Sequence, residues 1–444
     1  MIPEEYQKSY WLESLAPAIR PNAELEGEQR ADVVVIGGGY TGLSTAFHLK
    51  KLDRSIDVKV LESHICGYGA SGRNGGFSMT LFGLTKAITQ LRFGRERAVA
   101  AQRYMEEAVD YLHHLITENK LDCDYEQSGY LLVATSSAQK RRLEHEFKIA
   151  ERWRLNGIER WDGQRLRREF QTRAYLLGWF EPRCGILHPA KLARAMKRLA
   201  ESRGAVIYEN SPVQRISRTG QGAFRVITEK GVITADAMVL ATNAYSIAFP
   251  ELRALQTPIF THIVLTEPLS DEQMAAIGWR CRAGIEDARN FIHYYRLTRD
   301  NRIAMGGGDV TLTFGRNLNK DINARIFRHL ERHLLTIFPQ LEGIRFTHRW
   351  GGPVSITTDM APVIGFLGKD RRAVFSLGCI GHGVSMTHYN GLTIAELLCG
   401  QSTPRTEMFF VGRKIIPWPP EPVRFALSHL IRGYMKMEDV LLYR

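Results

Sequence analysis

The chain has 444 residues, 44% of them hydrophobic and 24% charged, with a formal net charge of +12. This is the balance of an ordinary globular protein, long enough to bury a large core without staples. No apolar run reaches the roughly 18 to 20 residues that cross a bilayer, the start "MIPEEYQKSYW" is unlike a secretory leader, and the six cysteines form neither C-x-x-C nor zinc spacing, so a cytoplasmic protein with reduced thiols is expected.

In chain order, "ADVVVIGGGYTGLSTAFHLKKL" predicts a buried strand, a glycine turn and a helix, since Val33 to Ile36 form a continuous β-branched run. "DVKVLES", residues 57 to 63, is the next strand, which completes a βαβ unit. Then comes "GYGASGRNGGFS", with five glycines (67, 69, 72, 75 and 76), one arginine, one asparagine and no apolar period. So bare a segment is read as a surface for close backbone approach to a ligand. Residues 86 to 120 have helical spacing, "YEQSGYLLVATS" is a short strand, and a charged helix follows around 136 to 155. Short strands fill 204 to 246 and recur at 258–266 and 291–308. "INARIFRHLERHLLTIFPQL" predicts an amphipathic helix closed by Pro339. "AVFSLGCIGHGVSMTHYNGLTIAELLCG" repeats the opening theme of strand, glycine turn and helix.

Charge adds little. In "KRRLEHEFKIAERWRLNGIERWDGQRLRRE" acids interleave with bases, as on a solvated helix face, and no nucleic-acid partner is expected. The C-terminal "GRKIIPWPPEPVRFALSHLIRGYMK" mixes bases with large apolar residues. A docked terminal helix is the favoured reading, with peripheral membrane contact as the other.

Gly37, Gly39 and Gly42 spell G-x-G-x-x-G after a strand and at the opening of a helix, answered by Glu62 at the end of the next strand. Gly37 allows a tight turn, Gly39 close approach to a pyrophosphate and Gly42 close helix packing, while Glu62 can accept from a ribose. The pattern serves FAD and NAD alike.

The ordered set "GGGYTGLSTAFHL", "GYGASGRNGGFS", "HPAKLARAM", "MVLATNAYS", "YYRLTRDNRIAMGGG" and "GCIGHGVSMTHYNG" resembles the glycine-oxidase, sarcosine-oxidase and D-amino-acid-oxidase group of FAD amine oxidoreductases, and the γ-glutamylputrescine oxidases most of all. The resemblance implies a mixed α/β fold: a discontinuous Rossmann-type FAD domain (28–100, 180–250 and 345–400) and an inserted substrate domain on a larger mixed or antiparallel sheet (101–179 and 251–344), followed by a basic amphipathic extension (401–444). It implies cofactor contacts from Gly37, Gly39, Tyr40, Thr41, Gly42, Glu62 and Ser63. Further contacts are implied from Gly69, Ala70, Ser71, Arg73, Asn74, Gly75 and Gly76, from Val213, Thr242 and Asn243, and from Gly381, His382, Gly383, Val384 and Ser385.

The same resemblance implies oxidation of a small-molecule amine, or of an amino acid, by hydride loss from its α-carbon to the flavin. The resulting imine is hydrolysed, and electrons pass to O₂ or to another acceptor. His382, Tyr294 and Arg296 are the candidate catalytic residues, and His262, Tyr294, Tyr295, Arg296 and Trp350 the candidate substrate wall. Gly352 and Pro353 stand where some relatives carry a flavin-linking cysteine, so non-covalent FAD is expected. Ala304 and Met305 stand where some carry an O₂-activating lysine, which leaves a quinone or carrier open as acceptor. A tRNA-modifying flavoenzyme is the third reading.

Overall fold

A computed structural model describes residues 4–315 and 317–442. Its first sheet runs Val363–Leu367, Ala373–Leu377, Gly231–Leu240, Gly27–Ile36, Val58–Leu61 and Val206–Tyr208. The pairings along this run are parallel except at the Val363–Leu367 edge, and Phe224–Ile227 adds antiparallel pairings to Gly231–Leu240 and to Arg215–Arg218. The central strands carry Val33, Val34, Val35, Val58 and Val60, all buried, because helices cover one face and Leu25, Phe224, Val226 and Leu252 pack with Val34 on the other. Helices Tyr40–Leu52, Pro189–Ser202 and Gly383–Leu398 share one apolar core with it. Gly42 fixes how close the first helix sits: a Cβ there would lie 1.9 Å from the Gly37 carbonyl oxygen.

The second sheet has nine strands in the order Thr311–Leu312, Thr257–Thr266, Ile303–Gly307, His293–Leu297, Gly284–Asp287, Tyr130–Ala134, Leu177–Glu181 and Glu159–Trp161, with Phe346–Ile356 also paired to Thr257–Thr266. It is antiparallel except where Gly284–Asp287 meets Tyr130–Ala134. The amphipathic helix Ala324–Ile337 lays Ile326, Phe327, Leu330 and Leu334 on one face of this sheet and leaves the opposite face toward the first domain.

Three boundaries differ from the sequence reading. The stretch 86–120 is two helices, Lys86–Phe93 and Arg95–Glu118, because Gly94 has φ +81° and stops the first. The second of them packs Tyr104, Met105 and Leu112 into the first domain's core, not the second's. Phe346–Ile356 belongs to the larger sheet and not to the first domain, because its whole length pairs with Thr257–Thr266.

The C-terminal helix Val423–Leu442 is docked. Arg432 and Lys436 both reach Asp309 at 2.6 Å, and the Asp439 carboxylate accepts the backbone N–H groups of Asn290 and Phe291 at 2.8 and 2.9 Å. Its bases are thereby committed to the protein, while Leu430, Tyr434 and Leu441 remain exposed along the other face. No helix among the described residues is long and apolar enough to cross a membrane.

Candidate functional site

The two sheets and the C-terminal helix enclose a cavity of about 810 Å³. From the first domain it is lined by Gly37, Gly39, Tyr40 and Thr41 at the strand-to-helix turn, and by Glu62 and Ser63 at the end of the second strand. Gly69, Ala70, Ser71, Arg73, Asn74, Gly75 and Gly76 form its floor. Val213, Thr242 and Asn243 line one end, and Gly381, His382, Gly383 and Val384 another. Gly42 and Ser385 do not reach it. Gly42 lies between helix and strand, and the Ser385 hydroxyl turns inward to Ser78 at 2.8 Å.

Glu62 is buried and accepts backbone N–H groups from Gly38 at 2.7 Å and His64 at 3.0 Å. Burial raises its carboxyl pKa, and those N–H donors oppose the shift. The acid thus stands at the strand end, held by amides rather than by a cation, as a ribose acceptor would be.

The floor is pinned from behind. The carbonyl of Arg73 accepts Trp350 Nε1–H at 2.9 Å, that of Asn74 accepts Trp11 Nε1–H at 2.9 Å, that of Gly75 accepts Arg296 Nε–H at 2.7 Å, and that of Gly76 accepts the Leu187 N–H at 2.9 Å. Four successive carbonyls therefore point away from the cavity. Asn74 Oδ1 accepts the Gly76 N–H at 2.8 Å, which closes the turn. At Gly76 φ is +76° and a Cβ would lie 2.1 Å from the Leu187 oxygen, so only glycine fits this bend.

That arrangement corrects several expectations for the substrate wall. Arg296 and Trp350 lie behind the floor, and their donors are taken by its carbonyls. The Arg296 guanidinium also donates to the Leu187 carbonyl at 2.8 Å and stacks 4.9 Å from the Trp11 ring. Burial without a carboxylate lowers its pKa to about 10. Tyr295 is on the opposite face of its strand from Tyr294, bonded to Tyr175 at 2.7 Å inside the second core. His262 packs on Phe327 with Nε2 against the Lys320 carbonyl. Of that expected wall, Tyr294 lines the cavity, edge-on to Phe77 with ring centroids 5.9 Å apart.

His382 lines the cavity. Its Nδ1 is buried without a hydrogen-bond partner, and burial lowers its pKa to about 4, so the ring is neutral at pH 7. Gly352 and Pro353 line the cavity too, whereas Ala304 and Met305 are buried in the larger domain.

Sequence reasoning does not find every lining residue. Thr261 and Glu286 come from the larger sheet, Asp309 from the turn after Ile303–Gly307, and Ser428, Ile431 and Met435 from the C-terminal helix. A signal for Glu286 exists: a charged residue in the otherwise apolar run "AGIED". None exists for the helix, which meets the site only through the fold. Asp287, His293 and His333 are spaced as metal ligands, but Arg289 Nη1 stands among them, 2.8 Å from Asp287 Oδ2 and 2.9 Å from His293 Nδ1.

A model of the FAD dependent oxidoreductase (DAO) family matches residues 32–397. The chain belongs to that family. It is 34% identical over 442 residues to "Gamma-glutamylputrescine oxidoreductase" of Escherichia coli (strain K12), covering 98% of this chain and 99% of the relative. It is 25% identical to "Glycine oxidase" of Bacillus licheniformis, over 87% of this chain and 98% of that one. Among solved structures, glycine oxidase from Geobacillus kaustophilus superposes with a TM-score of 0.72 at 20% identity, over 84% of this chain and 96% of that one. This DAO-family protein is thus an FAD-dependent oxidoreductase, and its pinned glycine floor, amide-held Glu62 and tight strand-to-helix turn are of the kind that suits a dinucleotide.

Proposed function

We propose that this protein oxidises a primary or secondary amine, either an amino acid or a γ-glutamyl-polyamine-like compound. The observation that supports this reading is a single cavity in which the glycine turn, the glycine floor and the "GHG" turn face Thr261, Glu286 and Tyr294 of the larger sheet. When bound, FAD supplies the two-electron oxidation that converts an amine to an imine. The chain's own residues orient and exclude. Glu62 would accept from the ribose, and the amides of the strand-to-helix turn would face the pyrophosphate. The opening turn of Gly383–Leu398 would direct its positive end at the ring edge that gains charge on reduction. Neutral His382 adds no positive charge beside the amine. Tyr294 would form the apolar wall along the substrate carbon chain, and the C-terminal helix would keep water out.

Gly352 and Pro353 carry no thiol, so FAD would be held without a covalent bond. O₂ is the first reading for the acceptor. A quinone or protein carrier is the second, favoured by the exposed apolar stripe of Leu430, Tyr434 and Leu441. The test is an oxygen-electrode screen of the FAD-loaded protein against polyamines, γ-glutamyl polyamines, N-methyl amino acids and cyclic amino acids, repeated with a dye acceptor. Consumption with one class and not the others supports the reading, and silence across the panel with both acceptors refutes it.

A further inference from the structure

On the wall formed by the larger sheet, the cavity holds an acid that no ion pair among the described residues includes. Glu286 sits on Gly284–Asp287 between Tyr130–Ala134 and His293–Leu297. Strand alternation buries its neighbour Ile285 in the second core and turns Glu286 to the cavity side, directly opposite Tyr294 across the pairing. Its carboxylate accepts one hydrogen bond among the described residues, from the Tyr130 hydroxyl at 2.8 Å. None of the ion pairs found among those residues includes it, and the charge that most affects it is Asp287, of the same sign.

Glu62 is held by the amides of Gly38 and His64, Glu438 accepts Asn290 Nδ2–H at 2.9 Å, and the remaining charged groups that line the cavity are engaged by the protein. Asp309 is held by Arg432 and Lys436, Arg73 by Asp321, and Arg289 by Asp287. Arg142 donates to the Ala288 carbonyl and to Asn290 Oδ1, both at 3.2 Å, and Arg92 to the Asp359 carbonyl. Each guanidinium described along the cavity is thus engaged by the protein, while the buried Glu286 carboxylate has the Tyr130 hydroxyl as its one donor among the described residues. An unpaired buried carboxylate is expensive, and a fold that keeps one at a cavity wall presents a binding site for positive charge. Tyr294 flanks it, opposite Glu286 in the strand pairing and with its ring against Gly75 and Gly306.

We propose that Glu286 is the ammonium site of this cavity, accepting N–H from a cationic amine substrate and selecting it over compounds that present a carboxylate there. The inference rests on the amine-oxidising reading and narrows it to amines that arrive as cations and pass one N–H proton to the ionised Glu286 carboxylate before the α-hydride leaves. Burial pushes the Glu286 carboxyl up to about 7, against the pull of the Tyr130 hydroxyl. An arriving ammonium favours the ionised form, so binding strengthens as pH rises through that value.

The test uses the FAD-loaded full chain and calorimetric titration with tert-butylammonium, which has no α-hydrogen and cannot be oxidised, against pivalate, its anionic counterpart in shape. At about pH 8, where Glu286 is ionised, tert-butylammonium binds and pivalate does not, and Glu286→Gln weakens the cation by about tenfold or more. Lowering the pH to about 6 weakens binding to the parent protein by about tenfold and leaves the Gln variant unmoved. The Gln variant keeps an acceptor for Tyr130, and its flavin absorption reports that it is folded and loaded. Equal binding by the two proteins, or pivalate as tight as the cation, overturns the proposal. If tert-butylammonium binds through Glu286 while no amine reduces the flavin, the oxidase reading fails and the ammonium site stands. If amines reduce the flavin and Glu286→Gln changes neither kcat/KM nor cation binding, the ammonium site alone fails.

Discussion

Replacing Arg296 by methionine tests whether this side chain is a clamp for the floor of the cavity rather than a hand for the substrate. The guanidinium is buried and makes no ion pair among the described residues. It holds the carbonyls of Gly75 at 2.7 Å and Leu187 at 2.8 Å and lies 4.9 Å from the Trp11 ring. Methionine fills similar space but leaves two buried carbonyls without donors. Hydrogen bonds to a charged group are worth about 1.5–3 kcal/mol each, so the loss is roughly 3–6 kcal/mol, offset in part by no longer burying a charge. Much of that falls on the Gly75–Gly76 turn, whose shape the cofactor needs, so FAD affinity and thermal stability drop together. Arg296→Lys restores the charge without the two-pronged geometry and recovers only part of either. The assay is thermal unfolding with and without added FAD, alongside the fraction of flavin retained on gel filtration. An Arg296→Met protein that keeps its flavin and its Tm, while losing affinity for substrate only, would refute the clamp and return Arg296 to the substrate wall.

Other predictions follow from the same geometry. Gly76→Val drives a Cβ onto the Leu187 oxygen and yields folded but colourless protein, read by the flavin-to-protein absorbance ratio. Stability falls as pH drops from 7 toward 5. Burial lowers His48 and His188 to about 3 and His382 and His388 to about 4, so the unfolded chain takes up protons near pH 6.5 that the folded one refuses. His388→Gln flattens that slope in denaturant titrations at stepped pH. Removing residues 423–444 takes Arg432 and Lys436 from Asp309 and uncovers the cavity. Iodide should then quench flavin fluorescence faster, and unchanged quenching would show that the helix is no cover.

Much of the cofactor side is legible in the sequence because glycine and backbone geometry leave a local signature. Gly37, Gly39 and Glu62 lie within one βαβ unit, and Gly69 to Gly76 follow it directly. The substrate side is harder to read because it depends on which way a strand faces. "HYYRL" offers three polar neighbours of similar promise, and alternation sends Tyr294 to the cavity, Tyr295 to the core and Arg296 behind the floor. Trp350 has the size and polarity of a substrate-wall residue, yet its indole serves the Arg73 carbonyl. The cover is hidden for another reason. Arg432 and Lys436 look like surface bases until Asp309, more than a hundred residues earlier, is brought beneath them.

The most direct test of amine oxidation at this site is anaerobic addition of one amine at a time to the yellow, FAD-loaded protein, with the flavin absorption recorded. The expected result is bleaching by a cationic amine with an α-hydrogen, return of the colour on admitting an acceptor, and no bleaching by tert-butylammonium. A protein that takes up FAD and stays yellow with every α-hydrogen amine, or that is bleached equally by carboxylates with no amine, would contradict it.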